Sequence, residues 1–179
     1  MASELRVMAP AFEQIHFAIG ISPVGNVLVG ESANGICAVY LGKSAKELMV
    51  SLQKQFPAAK CLDGGNGIKN TLSKVIESIH NPQKNTDFNL DLRGTPFQQQ
   101  VWQALREIPV GSTVCYSDIA EKLHNPGAVR AIASACGANN IAVIIPCHRV
   151  IRKDGAISGY RWGVESKQRL LRRERLMLA

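Results

Sequence analysis

The sequence predicts an α/β chain in two parts. A small sheet-plus-helices unit covers residues 1–92, and a mostly helical unit built around a helix-turn-helix covers residues 93–179. Three observations predict this. Residues 15–41 fall into three short apolar runs separated by turn residues. Two amphipathic helical patterns follow, before a break rich in Pro and Asn. From Thr95 the texture changes to helix, short turn, helix.

The elements follow in order. "IHFAIGI", "NVLVGES" and "ICAVYLG" read as strands of a meander, because "SPVG" and "ANG" supply Pro, Gly and Asn where the backbone must reverse. "SAKELMVSLQKQF" places Leu48, Leu52 and Phe56 at spacings of four, on one face of a helix. "CLDGGNG" is rich in Gly but lacks the Gly-Lys-Ser/Thr ending of a phosphate-binding loop, so it reads as a connection. "IKNTLSKVIESIH" aligns Ile68, Leu72, Val75, Ile76 and Ile79 on one helical face, and "NPQKN" breaks it. "DFNLDLRG" alternates like a strand at the end of the first unit. "TPFQQQVWQALREI" carries an explicit helix start: Thr95 caps, Pro96 suits the first turn, and Gln98 completes a capping box. "TVCY" is strand-like. "SDIAEKLH" and "VRAIASACG" are helices joined by "NPGA", in helix-turn-helix outline. The last of these is rich in small residues, Ala128, Ala131, Ala133, Ser134 and Ala135. They suit either a tightly packed core helix or one whose backbone approaches a groove closely.

Bulk properties bound the function. A length of 179 residues fits one ordinary domain or two small ones, and 46% apolar with 20% charged residues is globular composition. No apolar run approaches the roughly 20 residues that span a bilayer, and "MASELRVMAP" lacks the apolar core of a signal peptide. The expectation is a cytoplasmic protein with no membrane partner. The five cysteines, Cys37, Cys61, Cys115, Cys136 and Cys147, are odd in number, widely spaced and without a CxxC pair. That pattern argues for reduced thiols and against a disulfide framework or a zinc site. A formal charge of +7 fits either a solvated basic surface or a polyanionic partner, nucleic acid first. The excess gathers in Arg161, Lys167, Arg169, Arg172, Arg173 and Arg175.

The chemistry points to "IAVIIPCHRVI", residues 141–151. An apolar strand would end in a polar turn, yet this one ends in a thiol, an imidazole and a fixed cation. A buried cysteine is most often a packing residue. Against that stand Pro146, which fixes the backbone before Cys147, and Arg149, whose charge needs a polar neighbour. The final helix, "VESKQRLLRRERLMLA", sets Val164, Leu171 and Leu178 on one stripe at spacings of seven, with Glu174 beside it. Glu174 reads either as a surface pair with a nearby Lys or Arg, or as the carboxylate that orients His148. In the second case the free imidazole nitrogen can take a proton from Cys147 through a bridging water.

"FQQQVWQAL", "YSDIA", "AVRAIASACGANN", "IPCHRVI" and "SGYRWG", in this order and spacing from Thr95 to Glu174, resemble the O6-alkylguanine-DNA alkyltransferases. The likeness is closest to the guanine-repairing half of the two-part bacterial members. It implies an RNase H-like first domain and a winged helix-turn-helix-like second one. It also implies irreversible, stoichiometric transfer of an alkyl group, mainly methyl, from O6 of guanine and O4 of thymine in double-stranded DNA to Cys147. No cofactor, metal or obligatory protein partner is implied, and a monomer is expected. By position, His148 is the base acting through water, Glu174 orients it, and Asn139 holds the active-site turn. Tyr116 helps rotate and face the target nucleotide, and donates toward the leaving guanine. Arg130 fills the gap in the stack. Ala128, Ala131 and Ala133 lie on a recognition helix that enters the minor groove, where Val129 and Cys136 add bulk. Tyr160, Arg161 and Trp162 wall the pocket, and the size of Trp162 favours methyl over benzyl. The zinc-binding domain with four cysteines found in the longer members has no counterpart here, so repair of phosphate methyl groups and linked gene activation are not implied.

Other readings stay open on the residues alone. A cysteine hydrolase or acyltransferase would turn over an activated ester, although such sites draw Cys and His from distant segments. A DNA-binding module without chemistry would bind methylated and plain duplex alike and take no label. A non-catalytic relative that only flags damage would lack the acceptor cysteine, which is present here.

Overall fold

The computed structural model describes residues 12–179 except Asn85 and Ser158. The opening "MASELRVMAP" and the first residue of "SGYRWG" therefore lie outside the described residues.

The expected meander forms. Strands β1 (Gln14–Ser22), β2 (Gly25–Ser32) and β3 (Gly35–Gly42) are antiparallel neighbours. The turn before β3 needs Gly35, whose φ of 131° is open to glycine, and a Cβ there would come within 2.6 Å of the Asn89 carbonyl oxygen. Helix α1 (Ala45–Gln55) is capped by Ser44, whose hydroxyl accepts from the Glu47 N–H at 3.2 Å. The segment expected to be a plain connection contains a fourth strand instead. Strand β4 (Lys60–Asp63) pairs in parallel with β1, giving the sheet order β3-β2-β1-β4. Helix α1 is the crossover that permits the parallel pairing, and only the glycines after Asp63 are loop. Helix α2 (Asn66–His80) follows.

Both faces of the sheet are covered, so β2 and β3 read as nearly continuous apolar runs. One face packs on Leu48 and Leu52 of α1 and on Phe56, which caps its end. The other packs on Ile68, Leu72, Val75 and Ile79 of α2 and is continuous with the core of the second half. "DFNLDLRG" forms no strand. It makes one isolated bridge to the sheet edge, Ile36 to Leu90, with Ile36 N–H donating to Asn89 and Asp91 N–H to Ile36, both at 2.9 Å.

Helix α3 (Pro96–Arg106) starts with the expected capping box. Thr95 Oγ1 accepts from Gln98 N–H at 3.2 Å and Gln98 Oε1 accepts from Thr95 N–H at 3.0 Å. Strand β5 (Val114–Cys115) leads into helix α4 (Tyr116–Lys122). A 3₁₀ turn (Pro126–Ala128) then enters helix α5 (Val129–Gly137). The Trp102 indole N–H donates to the Ala135 carbonyl at 2.8 Å, fastening α3 to α5 inside the core. A second 3₁₀ turn (Cys147–Arg149) opens into strand β6 (Val150–Ile151), which pairs in parallel with β5. Helix α6 (Val164–Leu178) closes the chain. Among the described residues no helix is long and apolar enough to cross a membrane, and no group of three His, Cys, Asp or Glu could hold a metal ion.

Candidate active site

The run Ile141–Ile145 does not form the expected apolar strand. Ile141 makes a single bridge to Val39 of β3, after which the chain turns, with Val143 in the left-handed region at φ 70°. One side chain explains how this buried segment avoids a ladder. Asn139, fully buried, accepts from the Ile141 N–H through Oδ1 at 2.8 Å and donates from Nδ2 to the Ile145 carbonyl at 3.0 Å. The carboxamide thus satisfies backbone groups that a neighbouring strand would otherwise have to meet. Asn139 Nδ2 also donates to Cys147 Sγ at 3.2 Å. Pro146 precedes the sulfur and starts the 3₁₀ turn, from which Cys147 meets Asn139 while His148 and Arg149 both reach Glu174.

Helix α6 supplies the carboxylate, though not along the stripe that the spacing of seven picked out. Val164 and Leu178 are exposed, and the buried face is Lys167, Leu170, Leu171 and Glu174. A packed helix follows the period of 3.6 set by its neighbours, so residues at i, i+3, i+4 and i+7 turn inward. Glu174 is 3% exposed, which removes the surface-pair reading. Its Oε1 lies 2.7 Å from His148 Nε2 and accepts from Arg149 Nη2 at 2.9 Å, while Oε2 accepts from Arg149 Nε at 3.1 Å and from Gly111 N–H at 3.0 Å. Arg149 Nη1 donates to the Ile108 carbonyl at 2.6 Å. The buried charge of Arg149 therefore finds its neighbour in Glu174.

This geometry fixes protonation. Burial pushes the Glu174 carboxyl up, but hydrogen bonds from His148 and Arg149 outweigh it and hold the group at about 2. A carboxylate accepts only, so His148 carries its proton on Nε2 and keeps a lone pair on Nδ1. Nδ1 is buried and has no hydrogen-bond partner among the described residues. Burial also lowers the pKa of His148, and Glu174 only partly opposes this, so the imidazole is neutral at rest and able to accept a proton. Arg149, not His148, is the cation that balances Glu174.

Cys147 is 4% exposed, and burial pushes its thiol up to about 11, against the lowering effects of the Asn139 hydrogen bond and the Lys167 ammonium. Neither the local turn nor the imidazole makes a resting thiolate. A three-residue 3₁₀ turn has little aligned dipole, and a neutral imidazole brings no charge. The largest opposing influences are Asn139 and Lys167, with a smaller one from Arg161. Sequence reasoning counted Lys167 only toward surface charge. Its Nζ is buried and donates to the Val150 carbonyl at 2.6 Å. The signal was there: Lys167 stands three, four and seven residues before Leu170, Leu171 and Glu174, on the same face.

The remaining residues surround this centre. Tyr116 is half-buried at the start of α4, beside a cleft of about 400 Å³ shared with Val129 and Arg152. Ala128 sits on the 3₁₀ turn rather than on the helix and is nearly buried. Arg130, Ala131 and Ala133 face outward from α5, while Ile132, Ala135 and Cys136 face the core. The bulk of Cys136 is thus directed inward, and Val129, 38% exposed, is the larger residue left outside. Tyr160 and Trp162 meet edge to face at 5.2 Å between ring centroids, and Trp162 also approaches Tyr40 of β3 at 6.4 Å. The Arg161 guanidinium turns toward Asn139, Asn140 and Gln55.

Residues 96–176 match the family model described as 6-O-methylguanine DNA methyltransferase, DNA binding domain. The chain is 49% identical over 160 residues to the bifunctional transcriptional activator/DNA repair enzyme Ada of Escherichia coli, covering 89% of this chain and 45% of that protein. A second relative, regulatory protein ada of Salmonella typhimurium, is also covered to 45%, so the chain spans about half the length of these two. The inducible methylated-DNA–protein-cysteine methyltransferase of Bacillus subtilis is 36% identical, with 89% of this chain and 84% of that protein covered. Among solved structures, Mycobacterium tuberculosis OGT in complex with DNA superposes with a TM-score of 0.76 at 31% identity, covering 90% of this chain and 94% of that one. The α/β architecture, the order of the blocks and a relative matched along most of both chains agree: this chain belongs to the methylated-DNA–protein-cysteine methyltransferase family.

Proposed function

We propose that the protein repairs DNA by moving an alkyl group, mainly methyl, from O6 of guanine, and from O4 of thymine, onto Cys147, once per molecule. The observation that carries this is a buried thiol held by Asn139 beside a buried imidazole whose Nε2 is tied to Glu174 and whose Nδ1 is free to accept. The thiol proton passes by way of water to His148 Nδ1. The sulfur attacks the alkyl carbon, the carbon–O6 bond breaks, and guanine leaves with a proton from Tyr116, which the proton held on His148 replaces through water. A thioether and an unmodified guanine result, with no proton or electron unaccounted for. Tyr116 donates toward the departing base.

The sulfur is nearly inaccessible, so no base stacked in a duplex can reach it, and the target nucleotide must swing out. The outward face of α5 suits entry into the minor groove, because Ala131 and Ala133 leave the helix slim there, and Arg130 projects from the same face to fill the vacated stack. The net charge of +7 favours double-stranded DNA by counterion release. In this reading residues 1–92 are an RNase H-like domain, residues 93–179 are the winged helix-turn-helix-like acceptor domain, and the protein acts as a cytoplasmic monomer without a cofactor.

Intact mass spectrometry after mixing with duplex containing O6-methylguanine tests the reading. One added methyl on the peptide carrying Cys147 is expected. An unchanged mass refutes the function, and a methyl elsewhere refutes the site. Release of acid from an activated ester over many turnovers favours the cysteine hydrolase instead.

A further inference from the structure

We infer that Arg161 is a positioning residue for the acceptor thiol and that the N-terminal unit supplies part of its grip. Arg161 belongs to the segment that walls the proposed pocket, but its guanidinium is directed elsewhere. Nη1 donates to the Asn139 carbonyl at 3.2 Å and to Asn140 Oδ1 at 2.7 Å, and Nη2 donates to Gln55 Oε1 of α1 at 3.2 Å. The guanidinium carbon lies 5.7 Å from the ring centroids of both Tyr40 and Trp162. One planar cation therefore joins the pocket segment, the Asn139–Asn140 turn, helix α1 and strand β3. The fork geometry of arginine suits such multiple fastening, where lysine offers a point charge.

The residue being fastened is the one that matters. Asn139 Nδ2 donates to Cys147 Sγ, and the backbone next to Asn139 meets the N-terminal sheet. That backbone is held too. Val39 N–H donates to the Asn140 carbonyl and Ala142 N–H to the Val39 carbonyl, both at 2.9 Å. The edge of β3 thus holds Asn140 and Ala142, and Arg161 holds Asn139 and Asn140. The positive charge of Arg161 also reaches the sulfur and favours its ionised form. Glycines at 159 and 163 flank the segment, so Arg161 adds polar fastening to the ring packing of Tyr160 and Trp162.

The inference rests on Cys147 as the acceptor, and its test separates the two. Arg161→Ala, Arg161→Lys and Gln55→Ala are each compared with the unaltered chain in three measurements. These are the first-order methyl transfer rate in saturating O6-methylguanine duplex, duplex affinity, and the pH profile of Cys147 alkylation by iodoacetamide without DNA. Arg161→Ala should lower the saturated rate about tenfold with affinity changed less than about twofold, because positioning errors act on rate within the complex. Its thiol profile should move to higher pH. Arg161→Lys should recover part of the loss, and Gln55→Ala should lose about two- to threefold, since one of the three hydrogen bonds of Arg161 is removed. A saturated rate within about twofold of the unaltered chain, or an affinity loss of about fivefold with the rate intact, overturns the role, the latter marking a phosphate contact. If Arg161→Ala does not fold, unchanged rates and profiles in both other variants overturn it. An unaltered chain that takes no methyl sinks the acceptor reading, whereas the DNA-free thiol profile still decides the clamp.

Discussion

Replacing Glu174 by Gln keeps the shape of the side chain and removes one buried charge. The loss can be worked from the structure. Glu174 accepts from His148, Arg149 and the Gly111 N–H, and Arg149, 9% exposed, would keep only neutral acceptors, the amide oxygen of the substituted side chain and the Ile108 carbonyl. Moving a carboxyl from its ordinary 4.5 to about 2 corresponds to about 3 kcal/mol, at roughly 1.4 kcal/mol per tenfold change in proton affinity. Leaving an uncompensated buried charge costs a similar amount, about 3–5 kcal/mol. Urea unfolding at pH 7 should therefore show Glu174→Gln less stable by about 3 kcal/mol or more. The folded pKa lies below the unfolded one, so this contribution is complete above pH 4.5 and fades as pH falls through about 2. The gap between the two proteins should narrow across that window. Adding Arg149→Met should restore part of the stability, since the stranded cation goes with its partner. A gap under about 1 kcal/mol at pH 7, or one that does not shrink toward pH 2, would refute the account of a buried, arginine-balanced carboxylate.

Other outcomes follow from the same geometry. Cys147→Ala should take no methyl yet bind duplex as before, read by mass and fluorescence anisotropy; retained transfer would move the acceptor elsewhere. Arg130→Ala should slow repair of duplex about tenfold or more while leaving reaction with free O6-methylguanine near normal, because only the duplex needs its gap filled; equal losses would remove the stack-filling role. Lys167→Met, close in shape, should slow iodoacetamide alkylation of Cys147 about tenfold by removing the ammonium that favours its ionised form, and a faster reaction would contradict that field. Gly94→Ala puts a Cβ within 2.5 Å of the buried Trp102 ring, and should destabilise by about 1–3 kcal/mol in thermal melts because that ring has nowhere to move.

Read alone, the sequence determined what is local. Turn residues at "SPVG" and "ANG" set the meander, Thr95, Pro96 and Gln98 set the start of α3, and apolar spacing set α1 and α2, because each depends on neighbours within one turn. It also pointed to the thiol, the imidazole and the carboxylate by type and order, and the family resemblance added the asparagine. Contacts between distant segments decided the rest. β4 is a strand because β1 lies beside it, and residues 141–145 are not a strand because Asn139 satisfies their backbone. The inward face of α6 was set by packing rather than by a repeat of seven, and that turned Lys167 from surface charge into a neighbour of the thiol. Protonation belongs wholly to the tertiary structure. Which histidine nitrogen is free, which cation balances Glu174 and how far burial lifts the Cys147 thiol all depend on distances and dehydration that residue order does not encode.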